Sequence, residues 1–289
     1  MKNLIQNEQL SKYNWFNLGG PAEFFFRPGN LDELTDFLKK NDKHINILGA
    51  GSNILIRDGG LKGVTIKLSS KFSHVKLVDK ERIYAGASTL DKKLSDFAGE
   101  NSLSGFEFLS CIPGSIGGGI VMNSGCYGSD ISNIIESVDV IDFKGNQTTI
   151  DRNKINFFYR GCSLEKNLII IGATFKGKLS NKDKIKEKQN ELLNKKKSSQ
   201  PSKIKTCGST FKNTKNKKAW ELIKDSNCEN MSVGDAKISE THCNFLINKG
   251  NATSKEIEEL INKVKNKVHQ TTGVNLDLEL KIIGESEPK

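Results

Sequence analysis

LSCIPGSIGGGIVMNSGCYG, residues 109–128, sets Gly114, Gly117, Gly118, Gly119, Gly125 and Gly128 around the apolar run Ile120, Val121 and Met122. Glycine costs about 0.5–1 kcal/mol relative to alanine inside regular structure, so this density calls for unusual backbone angles or a ligand lying against bare main chain. Phosphate is the usual beneficiary, because successive unobstructed N–H groups form an anion-binding concavity. The other reading is a pair of turns flanking one buried strand. Both are open on this segment alone.

A second glycine cluster, Gly49-Ala50-Gly51-Ser52-Asn53 within ILGAGSNILI, is followed by another strand-like run. A dinucleotide fingerprint needs its glycines between a strand and a helix, so that reading is poor here, and a P-loop fails because no G-K-S/T follows. What remains is a strand–loop–strand. Its bare N–H groups, the Ser52 hydroxyl and the Asn53 amide would cradle a diphosphate without a helix dipole, or simply form a β-turn.

The flanking chain reads as α+β with many short strands. Asn30 with Glu33 resembles a capping box opening a helix whose apolar stripe is Leu31, Leu34, Phe37 and Leu38. INIL, ILI, VTIKL, HVKLV, RIYAG, SVDVIDF, QTTI and LIIIGATFKG are strand candidates, and TLDKKLSDFAGEN is a helix. The segment 181–205 is charged, contains Ser-Ser-Gln-Pro at 198–201 and reads as a solvated helix running into a linker. A second unit follows, with a helix at AWELIKDS and a long helix opening near Thr253. In the latter Ile257, Leu260, Ile261, Val264 and Val268 keep a 3.6-residue period and Gly273 supplies the stop. The strand-like LDLELKIIG closes the chain.

Composition limits the function classes. The 289 residues carry a formal charge of +10, yet the arginines are only Arg27, Arg57, Arg82, Arg152 and Arg160. A lysine excess spread along the chain is a weak nucleic-acid footprint. Cys111, Cys126, Cys162, Cys207, Cys228 and Cys243 show no C-x-x-C pair and no metal spacing with histidine, so they read as reduced cysteines of a cytoplasmic protein, with no metal site. MKNLIQNEQLSKYNW lacks the apolar core of a signal peptide, and no run is long enough to span a membrane.

NWFNLGGPAEFFF, LGAGSNILIRDGG, GFEFLSCIPGSIGGGIVMNSGCYG, FFYRGCSL, CGSTFKN, AKISETHCNFLINKGNAT and ELKIIGE, in that order, resemble the UDP-N-acetylenolpyruvoylglucosamine reductase family of peptidoglycan synthesis. The resemblance covers about residues 15–285. It implies an FAD-binding domain of the vanillyl-alcohol-oxidase type over 1–180, with α/β subdomains at about 1–68 and 69–180, then the linker, and a smaller α+β substrate domain over 206–289. It implies FAD as cofactor, NADPH as reductant and a UDP-sugar substrate. No nucleic-acid or membrane partner is expected, and the chain is expected to be a monomer.

In that family NADPH reduces FAD, and the flavin then passes hydride to the vinyl carbon of an enolpyruvyl ether. The resemblance gives Arg160 to the substrate carboxylate, Ser209 as proton donor and Glu279 as an orienting or assisting acid. It gives the cofactor to Gly49, Ala50, Gly51, Ser52, Asn53, Gly86, Pro113, Gly114, Ser115, Gly117, Gly118 and Asn123. It places Tyr159, Gln200, Lys212, Asn213 and His242 at the substrate. Read from the residues alone, Arg160 fits a surface ion pair, Ser209 a turn and Glu279 the solvent face of an alternating strand.

Thr214 stands where the family usually has proline, and Asp235 where relatives often have glycine; both bear on local loop conformation. The length matches members lacking a tyrosine-bearing loop over the substrate. Two other readings stay in view: another FAD oxidoreductase of the same fold, and a basic nucleotide- or RNA-binding protein.

Overall fold

In the strand Ile135–Asp142, Val138 and Val140 are fully buried while Ser137 and Asp139 are partly exposed, the period of two expected for a sheet with one covered face. This strand is part of a five-stranded antiparallel sheet. Its order is Gln147–Asp151, Ile135–Asp142, Leu168–Lys176, Arg82–Gly86 and Val75–Leu77. Val138, Ala173, Ala85 and Val75 stand opposite one another across four of the strands.

The structure, a computed structural model, describes residues 3–201 and 204–287. Contacts divide these into two units. Residues 3–4, 26–50 and 66–196 form one; residues 5–25, 51–65 and 197–287, apart from 202–203, form the other. The chain therefore passes between the units several times before residue 66 and once more after residue 196.

The first unit carries the five-stranded sheet and four helices: α1 (Leu31–Lys40), α2 (Asp91–Glu100), α3 (Ile116–Met122) and most of α4 (Lys182–Ser199). Asn30 caps α1 by accepting from Glu33 N at 2.8 Å, while the Glu33 carboxylate turns to Gly29 N and Asn3 Nδ2, so only half of the anticipated box forms. The apolar run 120–122 is helical, not the buried strand that was the alternative. Ile116 and Ile120 lie one turn apart and fully buried, and Asn123 ends the helix in the left-handed region at φ 41°. Packing on the sheet outweighs the low helix propensity of the three glycines.

Helix α4 departs from the solvated reading. Ile185, Gln189 and Leu192 are buried, and the Gln189 amide donates to Ser95 Oγ at 2.9 Å and to Ser95 O at 3.0 Å on α2. Of the expected linker, Ser202 and Lys203 lie outside the described residues.

The second unit is built on α5 (Ala219–Asp225) and α6 (Ser254–Thr272). Thr253 accepts from Glu256 N, the Glu256 carboxylate accepts from Thr253 N, and Gly273 closes α6 at φ 73°. Ile257, Leu260, Ile261, Val264 and Val268 are all buried, each contributing about 1.5–3 kcal/mol relative to exposure. The segment 51–65 is tied to this helix. Asp58 accepts from Ser254 N and Lys255 N, Ser254 Oγ donates to Ile56 O, and Arg57 grips Glu258 with two bonds of 2.8 and 2.9 Å. The last strand, Lys281–Ile283, pairs in parallel with Ile54–Ile56.

Candidate active site

Within the first unit the two glycine segments meet. A side chain added at Gly49 would stand 3.2 Å from Ser115 Oγ and 3.8 Å from the Gly118 Cα. Gly118 is exposed, and a Cβ there would find only Ser115 Oγ, at 3.8 Å. GAGSN lies between the strands Ile45–Ile47 and Ile54–Ile56, the strand–loop–strand expected, although Ser115 and α3 stand beside its first glycine.

Other glycines of the set are glycine for the sake of the chain itself. A Cβ at Gly51, whose φ is +70°, would lie 2.1 Å from Tyr13 O, and one at Gly86 would lie 2.1 Å from Phe72 O. Gly117 N donates to Ala87 O at 2.9 Å and its Cβ position is 3.2 Å from the Ala87 methyl. Gly114 faces Asp91, whose Oδ2 would be 2.4 Å from an added Cβ. Pro113 and Gly114 lead into Ser115, which is buried at the start of α3. Among the glycines of the set, Gly118 has the most open surroundings, and Gly49 faces Ser115.

Two charged groups here were not anticipated. Lys67 Nζ donates to Gly49 O, and burial, helped by the Arg27 charge, lowers its ammonium to about 8. Asp91 is wholly buried with neither carboxylate oxygen hydrogen-bonded, and burial raises it to about 8. In the sequence both look ordinary: Lys67 ends a strand in a lysine-rich chain, and Asp91 is an acid in the first turn of a helix.

Asn123 links α3 to the catalytic candidate of this unit. Its Nδ2 donates to Phe158 O at 3.2 Å and its Oδ1 accepts from Ser132 N at 3.0 Å. Phe158 belongs to the hairpin Phe157–Phe158/Gly161–Cys162, whose two-residue tip is Tyr159-Arg160. Arg160 is held at φ 60° with its guanidinium over the Tyr159 ring, 4.9 Å from the centroid. Tyr159 itself is exposed.

In the second unit the structure brings together Asn53, Ser209, His242 and Glu279. Ser209 pairs with Phe245, and Phe211 with Leu278. Glu279 N donates to Thr210 O at 2.9 Å, and Asn53 Nδ2 donates to Glu279 O at 3.0 Å. His242 Nδ1 accepts from Asn244 N, its ring lies 4.8 Å from that of Phe245, and burial lowers its pKa. The Asn244 amide in turn clasps Phe211 through its N–H and carbonyl. Glu279 is half-buried and lies just before the strand Lys281–Ile283.

Asn213 is exposed and its Oδ1 accepts from Ala219 N at the start of α5. Lys212 is half-buried and its N–H donates to Asp277 O. Gln200 follows the end of α4, and Ser52 is half-buried. Thr214 closes a turn with Lys217, and Asp235 accepts from Asn251 N. Among the described residues no group of three or more histidine, cysteine or acidic side chains is placed to hold a metal, and no helix is long and apolar enough to cross a membrane.

The chain is similar to known proteins along nearly its whole length. The model of an FAD-binding domain matches residues 22–151, and that of the UDP-N-acetylenolpyruvoylglucosamine reductase C-terminal domain matches 200–283. A UDP-N-acetylenolpyruvoylglucosamine reductase of Pelagibacter ubique is 48% identical over 95% of this chain and 92% of its own length. One from Rickettsia bellii is 45% identical over 97% and 95%. Among solved structures, UDP-N-acetylenolpyruvylglucosamine reductase from Thermus caldophilus is 29% identical, with a TM-score of 0.85 over 96% of this chain and 97% of that one.

Proposed function

The chain belongs to the UDP-N-acetylenolpyruvoylglucosamine reductase family, and from that membership we propose how its own residues serve the family's reaction. The protein is an FAD-dependent oxidoreductase that uses NADPH to reduce UDP-N-acetylglucosamine enolpyruvate to UDP-N-acetylmuramate in peptidoglycan precursor synthesis.

The residues fit the cofactor. Gly49, Ser115 and Gly118 leave a cradle that a side chain would fill, and Lys67 brings a cation to its edge. Backbone N–H groups with one ammonium suit a diphosphate. Ser52, Asn53 and Asn123 serve the cofactor as well. Bound FAD, once reduced by NADPH, supplies the hydride.

Arg160 binds the enolpyruvyl carboxylate, where negative charge grows as the vinyl carbon accepts hydride, and its planar fork matches that group. Ser209 delivers the proton to the α-carbon, and Glu279 orients it. Tyr159, Gln200, Lys212, Asn213 and His242 contact the UDP-sugar. The basic surplus attracts the phosphates of the two nucleotide substrates and no polynucleotide. This reading puts the protein in the cytoplasm, where its two nucleotide substrates are, and takes it as a monomer.

The cradle formed by Gly49, Ser115 and Gly118 carries this reading. Purified protein should show a flavin absorption band that NADPH bleaches and the enolpyruvyl sugar restores. Protein that stays colourless and takes up no added FAD would refute it.

A further inference from the structure

Asp91 stands in the first turn of α2, an ordinary place for an acid, yet its carboxyl is wholly buried and neither oxygen has a hydrogen-bond partner. What faces it is glycine. A Cβ built on Gly114 would stand 2.4 Å from Asp91 Oδ2, and one on Gly119 would stand 3.3 Å from Oδ1. Gly114 does not have a left-handed φ, so the carboxyl is what excludes a side chain there.

The same stretch carries the cradle. Asp91 N donates to Gly114 O at 3.2 Å, Leu90 pairs with Ser115, Ile116 N donates to Thr89 O at 2.9 Å and Gly117 N to Ala87 O at 2.9 Å. Residues 87–91 thus fix the backbone on which Ser115 sits, and Asp91 is buried against the segment from which Gly118 opens outward. No cation compensates the carboxyl. Helix α3 has no titratable residue, Lys92 pairs with Asp96, and Lys93 Nζ donates to Ser73 O. Glu107, on the adjoining turn Glu107–Cys111, accepts from Gly105 N, and Asp130, beyond α3, accepts from Ser132 Oγ. A buried carboxylate without a partner is costly, so the group keeps its proton. Burial is the one influence on its titration, which it raises to about 8.

We propose that Asp91, as the uncharged acid, is a positioning residue that shapes the FAD cradle from within, and that its ionisation releases FAD. The proposal rests on the reading of Gly49, Ser115 and Gly118 as that cradle. Ionised, the carboxyl is an unpaired negative charge against the segment that receives a diphosphate, and the like charges repel. By linkage, bound FAD holds the proton on Asp91 more tightly, so FAD affinity is full below the titration of the carboxyl and falls above it.

The test is the dissociation constant of FAD from flavin-stripped protein, followed by flavin fluorescence between about pH 6 and about pH 9. Lys67, lowered to about 8 beside Gly49, loses charge over the same interval, so wild type is compared with Asp91→Asn, which keeps Lys67 and removes only the Asp91 ionisation. The two should bind FAD alike at the acid end, and the wild type should lose about tenfold more affinity than the variant by about pH 9. Asp91→Ala also lacks the ionisation but empties the space beside Gly114. It should follow the pH course of Asp91→Asn with weaker binding throughout, and it carries the comparison if Asp91→Asn does not fold. Parallel pH courses in wild type and either substituted protein would overturn the proposal while leaving the cradle intact. Wild-type protein that binds no FAD at any pH would refute the cradle and the proposal with it.

Discussion

The Asn53 side chain donates to the Glu279 carbonyl at 3.0 Å, across 226 positions of sequence, and the Asn53 carbonyl accepts from Lys281 N at 3.1 Å. Asn53 and the segment that carries Glu279 are thus hydrogen-bonded to each other within the second unit. Replacing the donor by an acceptor of the same shape, Asn53→Asp, sets a carboxylate against a carbonyl. It should cost about 1–3 kcal/mol of stability, read as a lower unfolding temperature. An unchanged transition would mean that water already satisfies Glu279.

Gly118 and Gly51 should behave differently although both lie in glycine-rich loops. Gly118→Ala meets open space, so the flavin-free protein should unfold at the wild-type temperature while its dissociation constant for FAD rises by about tenfold or more, equivalent to about 1.4 kcal/mol. Gly51→Ala needs a left-handed residue and drives Cβ into Tyr13 O, so it should destabilise the protein with or without flavin. Loss of stability in Gly118→Ala, or wild-type FAD affinity, would remove Gly118 from the cradle.

Asp91 gives the protein a pH signature. Its folded carboxyl is raised to about 8, whereas an unfolded aspartate titrates near about 3.9, so the unfolded chain loses this proton first. Its contribution to stability is undiminished below about 3.9, is lost progressively as pH rises to about 8 and is flat above. Asp91→Asn removes the ionisation, so its unfolding temperature should gain on the wild type across that interval. Parallel curves for the two proteins would show that Asp91 is ionised and solvated.

Much of this architecture was legible because it is local. The opening of α6 near Thr253, its apolar stripe and the Gly273 stop all follow from neighbouring side chains, and the structure reproduces them. The conformation of 120–122 was left open for the opposite reason. Three glycines disfavour helix, and only packing of Ile116 and Ile120 on the sheet makes them helical. Lys67 and Asp91 were invisible because their roles depend on burial beside Gly49 and Gly114, which no spacing encodes. Gly51, Gly86 and Gly117 were legible as special but not as to cause, since each faces backbone or a small side chain distant in sequence.

The proposed division of roles is tested most directly by rapid mixing of Ser209→Ala with NADPH and then with the enolpyruvyl sugar. Ser209 acts only on the substrate carbon, so flavin reduction should proceed at the wild-type rate while reoxidation by substrate slows by ~10²–10⁴, the range for loss of a positioned acid. Reoxidation of Ser209→Ala at the wild-type rate would contradict the proton-donor role and leave Ser209 as the turn residue that pairs with Phe245.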